Sequence, residues 1–327
     1  MMTHNKEEYK QIISKFSDLN ILVIGDLMLD KYIQGSVTRI SPEAPVPVIK
    51  VAKKENRIGG AGNVAANLAS LNCNVTLAGI CGDDENGKII EQFLHKNDIS
   101  NQLLLTKSRP TTVKTRIIAQ HQQVVRVDEE ETHSYSPDLH DHLLSSLTNI
   151  TESIDGIILS DYSKGLFTTE FIQQIIKTFG HKPIIVDPKG HDYSKYTLTT
   201  VIKPNWKEFK IASTCPELTI EEILPEAQKM VQTLSLKGII ITLGENGVFV
   251  LDDNGHQKQL PTVARDVFDV SGAGDTFIAT FTAGLLASND WLKAASLANI
   301  ASGIVVGKVG TAVVHNHEIL ENLHLYE

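Results

Sequence analysis

Apolar runs that end in glycine or an acidic residue recur along the chain. ILVIGD at 21–26 is followed by VTLAGICGDD (75–84), DGIILSDY (155–162), KPIIVDPKG (182–190), TVIKPN (200–205) and KGIIITLGENG (237–247). They are short and mostly continuous rather than alternating, the pattern of strands buried on both faces. Helical stretches separate most of them, at 87–96, 168–179, 222–235 and 274–288. Ahead of the first run, residues 6–17 place Tyr9, Ile12, Ile13 and Phe16 on one face of a short amphipathic helix. Strands alternating with helices predict right-handed parallel crossovers and a mostly parallel sheet with helices on both faces. Ligands of such sheets lie outside the carboxyl ends of the strands. Those ends carry Asp26, Asp83, Asp161, Asp187, Asn205 and Gly244.

Two segments follow a different period. Residues 31–57 alternate and carry three prolines, which predicts short edge-type strands. Residues 109–128 are β-branched and alternating, which predicts a hairpin. Together they form a small β-sheet, expected to act as a lid that keeps water from a site at the strand ends. No linker, low-complexity stretch or internal repeat divides the chain, so residues 1–327 read as one domain with this lid.

Composition narrows the class. Of the 327 residues 42% are hydrophobic, enough for a large core, and the formal net charge is −9. With no long basic block, nucleic acid and membrane surfaces are disfavoured as partners, and an anionic substrate would need local positive charge. Cys73, Cys81 and Cys215 form no CxxC pair, so buried reduced thiols are expected. The opening residues MMTHNKEEYKQIISKF lack a secretory apolar core, and no run of about 18 apolar residues occurs; a soluble cytoplasmic protein is expected.

The strongest chemical signal is DVSGAGDTF at 269–277, followed at once by an apolar helix. Gly272 and Gly274 allow a tight turn that points successive N–H groups at one place. The helix N-terminus adds roughly half a positive charge. The glycine turn and the helix N-terminus together form an anion hole suited to a transferring phosphoryl group. Asp275, in the first helical turn, is placed to take a proton from an attacking hydroxyl. Base catalysis of this kind contributes about 10²–10⁴-fold, or about 2.7–5.4 kcal/mol of barrier. The competing reading is an ordinary helix cap. A second motif, IGGAGNVAANLASL at 58–71, is a glycine-rich turn entering a helix. It does not follow the first strand, which ends IGDLMLD, and no GxxxxGK[ST] occurs, so neither a dinucleotide fingerprint nor a Walker loop is present.

IGDLMLD, GGAGNVAANLA, NWKE and DVSGAGDTF, in this order, resemble the ribokinase-like (PfkB) carbohydrate kinases over residues 20–315. The resemblance implies an ATP- and Mg²⁺-dependent phosphotransferase of α/β, ribokinase-like fold. RISPEAPVPVIKV (39–51), LSDYSKG (159–165) and VDPKG (186–190) are similar to the kinase unit of the ADP-heptose pathway. That unit phosphorylates D-glycero-β-D-manno-heptose 7-phosphate at O1, on the route to the lipopolysaccharide inner core. It is often fused to a cytidylyltransferase-like domain. These 327 residues match only the kinase, as expected of a stand-alone enzyme or of one half of a fusion. Kinases for ribose, fructose or nucleosides, and a non-catalytic sugar or nucleotide sensor, stay open as alternatives; a dehydrogenase is disfavoured by the missing fingerprint.

The resemblance implies roles for particular residues. Asp275 is the base beside the hole of Gly272, Ala273 and Gly274. Asp30 accepts hydrogen bonds from sugar hydroxyls, and Gly59, Gly60 and Asn63 line the sugar pocket. Asn205 and Glu208 match N-x-x-E, whose carboxylate organises Mg²⁺ through water, in keeping with the few protein carboxylates that Mg²⁺ uses. Thr242, Gly244, Gly247 and Asn299 approach the nucleotide. The substrate's own phosphate needs cations, and Lys189, Lys164, Arg116 and Arg126 are the candidates, Lys189 first because it follows a strand end. Asp161 and Asp187 are candidates to position sugar or metal. The family's lid sheets often pair between subunits, so a homodimer through the lid is open to this chain.

Overall fold

The continuous apolar runs become strands whose successive side chains enter two separate cores. A computed structural model describes residues 2–120, 122–264, 267–308 and 310–326. Its strands are β1 (Asn20–Gly25), β2 (Leu27–Ile40), β3 (Pro47–Gly60), β4 (Asn74–Gly82), β5 (Ser100–Thr106), β6 (Thr112–Ala119), β7 (Gln122–Glu129), β8 (Gly156–Ser160), β9 (Ile184–Asp187), β10 (Val201–Ile202), β11 (Gly238–Thr242), β12 (Val248–Leu251) and β13 (Gln257–Leu260). The helices are α1 (Met2–Ser14), α2 (Ala61–Ser70), α3 (Glu85–Lys96), α4 (Pro137–Leu147), α5 (Thr169–Phe179), α6 (Trp206–Ala212), α7 (Ile223–Thr233), α8 (Ala273–Ser288), α9 (Trp291–Val305) and α10 (Asn316–Glu321).

Among the described residues, nine strands form one sheet in the order β13-β12-β11-β10-β9-β8-β1-β4-β5. All its pairs are parallel except β11–β12 and β12–β13. Ile21 and Val23 of β1 pack with α1, α2, α8 and α9, whereas Leu22 and Ile24 pack with the core under α4, α5 and α7. This is the two-sided burial that the unbroken apolar runs predict. The chain leaves β1 for β4 on one side, and β8 lies on the other, so the sheet order reverses at the carboxyl end of β1. Asp26 and the start of β2 sit at that point. No helix among the described residues is long and apolar enough to cross a membrane.

β2, β3, β6 and β7 form the second sheet, in the order β3-β2-β6-β7. The expectation of short edge strands across 31–57 needs correcting: β2 and β3 are 14 residues each and pair along their length. Register shifts at Gln34/Gly35 and Val37/Arg39 break the alternation, which made the strands read as shorter. Pro42 and Pro45 lie in the connecting turn and Pro47 at the first position of β3, where no ladder bond is lost. The 109–128 hairpin is β6–β7; His121, in its turn, lies outside the described residues. Cys73 and Cys81 are buried, and burial pushes both thiols up to about 12. Cys215 differs from the expectation in being only half-buried.

Candidate active site

Asp275, the candidate base, is placed by the turn that starts α8. Gly272, at φ +79°, occupies the left-handed region, and a Cβ there would come within 2.7 Å of the Asn63 amide. This position needs glycine. Two residues on, Gly274 and then Asp275 occupy the first turn of the helix, where backbone N–H groups lack helical partners. The Asp275 side chain is only 3% exposed, yet it is held by polar groups rather than apolar packing. Asn63 Nδ2 donates to Oδ2 at 2.7 Å and the Tyr162 hydroxyl to Oδ1 at 2.6 Å. Burial raises the carboxyl above its ordinary value, against the pull of Asn63, Tyr162 and Lys203. An acid so tuned stays ready to accept a proton closer to neutral pH.

Gly274, Ala273 and Tyr162 stand in the wall of a cleft of about 870 Å³, which also reaches Asn205, Thr242 and Asn299. That is a size that holds a nucleotide-sized ligand. Lys203, which sequence reasoning passed over, lies in this wall. Its ammonium pairs with Asp187 at 2.9 Å, and a Cβ on Gly274 would sit 3.5 Å from it. The helix turn therefore has a nearly buried cation beside it, where negative charge on a phosphoryl group would gather. Burial pushes Asp187 up to about 6 despite that lysine.

At the far side of the cleft, Asn205 caps α6. Its side chain accepts from Glu208 N, and Glu208 Oε2 accepts from Asn205 N, both at 3.0 Å. The other Glu208 oxygen pairs with Lys189 at 2.5 Å. Lys189 thus lines the cleft beside the N-x-x-E residues. The two glycines of TLGENG separate. A Cβ on Gly247 (φ +86°) would lie 1.9 Å from Leu260 O, so this glycine is demanded by packing. Gly244 (φ +62°) has open space beside it and faces the cleft. Asn299 donates to Pro261 O at 2.7 Å while lining the cleft. Among the described residues no group of three or more His, Cys, Asp or Glu is arranged around a metal position. The carboxylates of Asp187 and Glu208 are hard oxygen donors on the cleft wall, suited to Mg²⁺ that is held chiefly by nucleotide phosphates and water.

The second sheet contributes no residue to the lining of this cleft; it rises from the β1–β2 corner, and its register decides which of its residues share a face. Asp30 lies opposite Arg57 on β3 and Lys114 on β6; Tyr32 lies opposite Arg116, which lies opposite Arg126 on β7. Since side chains alternate, these residues share one charged face. Arg116 pairs with the buried Asp30 at 2.5 Å, and Arg57 and Arg116 flank the Tyr32 ring at 5.1 and 5.4 Å. Arg57 and Lys114 were not picked out from sequence, although Arg57 stands two residues before Gly59 and so shares its face. Gly59 has Asp30 where a Cβ would be, 2.6 Å from Oδ2, and Gly60 at φ +57° has Asp26 O at 2.5 Å. Both glycines let β3 press against the β1–β2 corner. Arg126 is half exposed and bonded to Asp128 of its own strand at 2.9 Å, away from Asp30. Lys164 pairs with Glu130 at 2.8 Å. Asp161 accepts from the Tyr196 hydroxyl, Lys195 and the Ser163 amide, each at 2.6 Å, which makes it part of the framework.

Residues 18–317 match the profile of the pfkB family carbohydrate kinases. The chain is 40% identical over 324 residues to the bifunctional protein HldE of Pelobacter propionicus, covering 98% of this chain and 66% of that protein. Other HldE proteins are similarly matched, and the chain spans 65–66% of their length. In fold it resembles the tetrameric inhibited form of phosphofructokinase-2 from Escherichia coli (TM-score 0.78, 17% identity, 94% of this chain and 99% of that one). It also resembles Arabidopsis thaliana ribokinase complexed with ribose and ATP (TM-score 0.71, 20% identity, 93% and 98%).

Proposed function

The chain belongs to the pfkB family of carbohydrate kinases, and from that premise we propose that it transfers the γ-phosphoryl group of ATP to the anomeric O1 hydroxyl of D-glycero-β-D-manno-heptose 7-phosphate. The product is the 1,7-bisphosphate, which would serve ADP-heptose and lipopolysaccharide core synthesis. The observation that carries the reading is the juxtaposition at the start of α8: a polar-held carboxylate, Asp275, next to glycine backbone and the Lys203 ammonium. ATP would lie along the cleft from Asn299 and Gly244 toward Gly274; the Arabidopsis thaliana ribokinase of similar fold is complexed with ribose and ATP. Asp275 takes the proton of the attacking hydroxyl, while the amides of the turn and Lys203 meet the charge on the phosphoryl oxygens. Mg²⁺, held by the phosphates near Glu208 and Asp187, would supply further charge neutralisation when bound.

Two features favour a phosphorylated acceptor over a free sugar. The inner lid face carries Arg57, Lys114 and Arg116 above the base, on a chain whose net charge is −9. Arginine in particular suits bidentate phosphate binding. Relatives of about 40% identity include bifunctional HldE proteins. The opposite lid face exposes Val125 and Val127, which suits pairing of two lids in a homodimer. The deciding experiment is a coupled ADP-release screen of phosphorylated and free sugars, heptose 7-phosphate included. Highest kcat/KM with the heptose phosphate upholds the proposal; preference for free ribose or fructose assigns the chain to another branch of the family. Absence of turnover with every acceptor, ATP binding intact, would favour a sensor.

A further inference from the structure

Tyr162 lies in the LSDYSKG run and has so far entered only as a partner of Asp275. Its setting is unusually constrained. β8 ends at Ser160, and the chain then turns through Ser163 at φ +54° and Gly165 at φ +90°. A Cβ on Gly165 would lie 2.1 Å from His133 O, so the turn closes against its neighbour. The buried Asp26 carboxylate accepts from the amides of Tyr162 at 2.8 Å, Lys164 at 3.1 Å and Leu166 at 3.4 Å. Arg109 donates to the carbonyl oxygens of His133 and Lys164 and stacks on Tyr135. A main chain anchored at so many points leaves the phenol little freedom except about its own torsions.

The phenol and Asn63 approach Asp275 from different elements, one after β8 and one on α2, and each donates to a different carboxylate oxygen. Two donors fix the plane of a carboxylate, whereas one leaves it free to swing. Each oxygen keeps lone-pair capacity for an acceptor hydroxyl. We infer that Tyr162 is a positioning residue for the base: its hydroxyl, donated to Asp275, sets the direction in which the carboxylate meets the acceptor. This rests on the reading of Asp275 as base. Burial, and then the charges of Asp275 and Asp187, hold the proton on the phenol far above its ordinary range, so it serves only as donor. The charged groups facing Asp275 are Lys203 and Asp30, with Asp187 beyond Gly274. Of the hydrogen bonds to the carboxylate, those from Tyr162 and Asn63 favour its ionised form.

The test is Tyr162→Phe, which keeps the ring and its packing. Expected are a kcat reduced about 10-fold or more, a KM for ATP within about twofold, and an acid limb of the kcat–pH profile moved to higher pH. The ¹³C-carboxyl signal of Asp275 should also titrate at higher pH, a readout independent of turnover. A fluorotyrosine at position 162, nearly isosteric and a stronger donor, should move that titration the other way. Parent-like kcat and an unmoved Asp275 titration would overturn the inference. So would a raised acceptor KM at unchanged kcat, which would mean that Tyr162 touches substrate instead. Comparison with Asp275→Asn separates the two levels: normal turnover by that variant removes the base and the inference together. An inactive Asp275→Asn beside a parent-like Tyr162→Phe removes the inference alone.

Discussion

The floor of the cleft and the lid above it are both rich in carboxylates, and they treat them in opposite ways. Around the floor, Asp187 lines the cleft while Asp26 and Asp275 are buried outside its lining; all three are shielded from water, and burial raises each above its ordinary value. Their partners are mainly neutral donors such as Asn63, Tyr162 and backbone amides, with one nearly buried cation, Lys203. On the lid the carboxylates are paired with cations and, except for the buried Asp30 with its Arg116, more exposed. Glu55 is lowered by its bonds to Lys53 and Arg57. For Asp128 and Glu130 partial burial works upward, yet Arg126, Lys114 and Lys164 outweigh it and both are lowered. The physical difference is the medium. Desolvation dominates where water is excluded, and paired charge dominates where it is not. A floor of this kind suits proton transfer, and a lid of this kind suits recognition of a charged acceptor.

The contrast is tested hardest at Asp275, the base under this proposal. Asp275→Asn should keep ATP binding and lose at least about 100-fold in turnover, read by steady-state kinetics beside a nucleotide-binding titration. Near-normal turnover would leave the floor without its chemical role. Asp187 comes next. Its folded pKa, about 6, exceeds the unfolded one, so between about pH 4 and 6 the folded state binds more protons and stability falls as pH rises. Asp187→Asn should therefore gain roughly 1–3 kcal/mol relative to the parent across that interval, whatever its stability at pH 4, measured by denaturant midpoints.

Arg116→Ala should raise the KM for a phosphorylated acceptor about 10-fold, on the order of 1.4 kcal/mol, with kcat little changed. An equal effect on a free sugar would show that the lid arginine orders Asp30 rather than a phosphate. The smallest effect belongs to Glu130→Gln. Its lowered pKa contributes stability above its unfolded value, lost as pH falls through the folded one. The variant should be less stable than the parent by under about 1 kcal/mol at pH 7, and the difference should shrink as pH falls below about 4.3, the ordinary glutamate value. The two charge-removing variants thus have opposite pH signs, and equal signs would erase the distinction between floor and lid.

Much of this was legible in the chain. The unbroken runs at 21–25, 156–160 and 238–242 lie in buried strands, and the helix after Gly272 begins within a residue of its predicted start. The lid hairpins were legible in place but not in length, since register shifts within β2 and β3 disrupt a period of two. The partner of Lys189, Glu208, was not legible for a different reason. A strand-end position specifies the correct edge of the sheet, but not which carboxylate on that edge lies within reach. Tyr162 and Lys203 carried no local signal, because one sits in a turn and the other in a two-residue strand's exit.

Periodicity and glycine placement depend on residues near one another in the chain. They therefore determined the α/β layering, the strand ends where polar groups collect and the turn that opens α8. Sheet order and lid register depend on packing between distant segments, and these alone decided the company that Asp275 keeps. Its two donors come from 113 and 212 residues away. Such pairings follow from the reversal of strand order at β1 and from the fold of the lid across it. They have no counterpart in the spacing of residues along the chain.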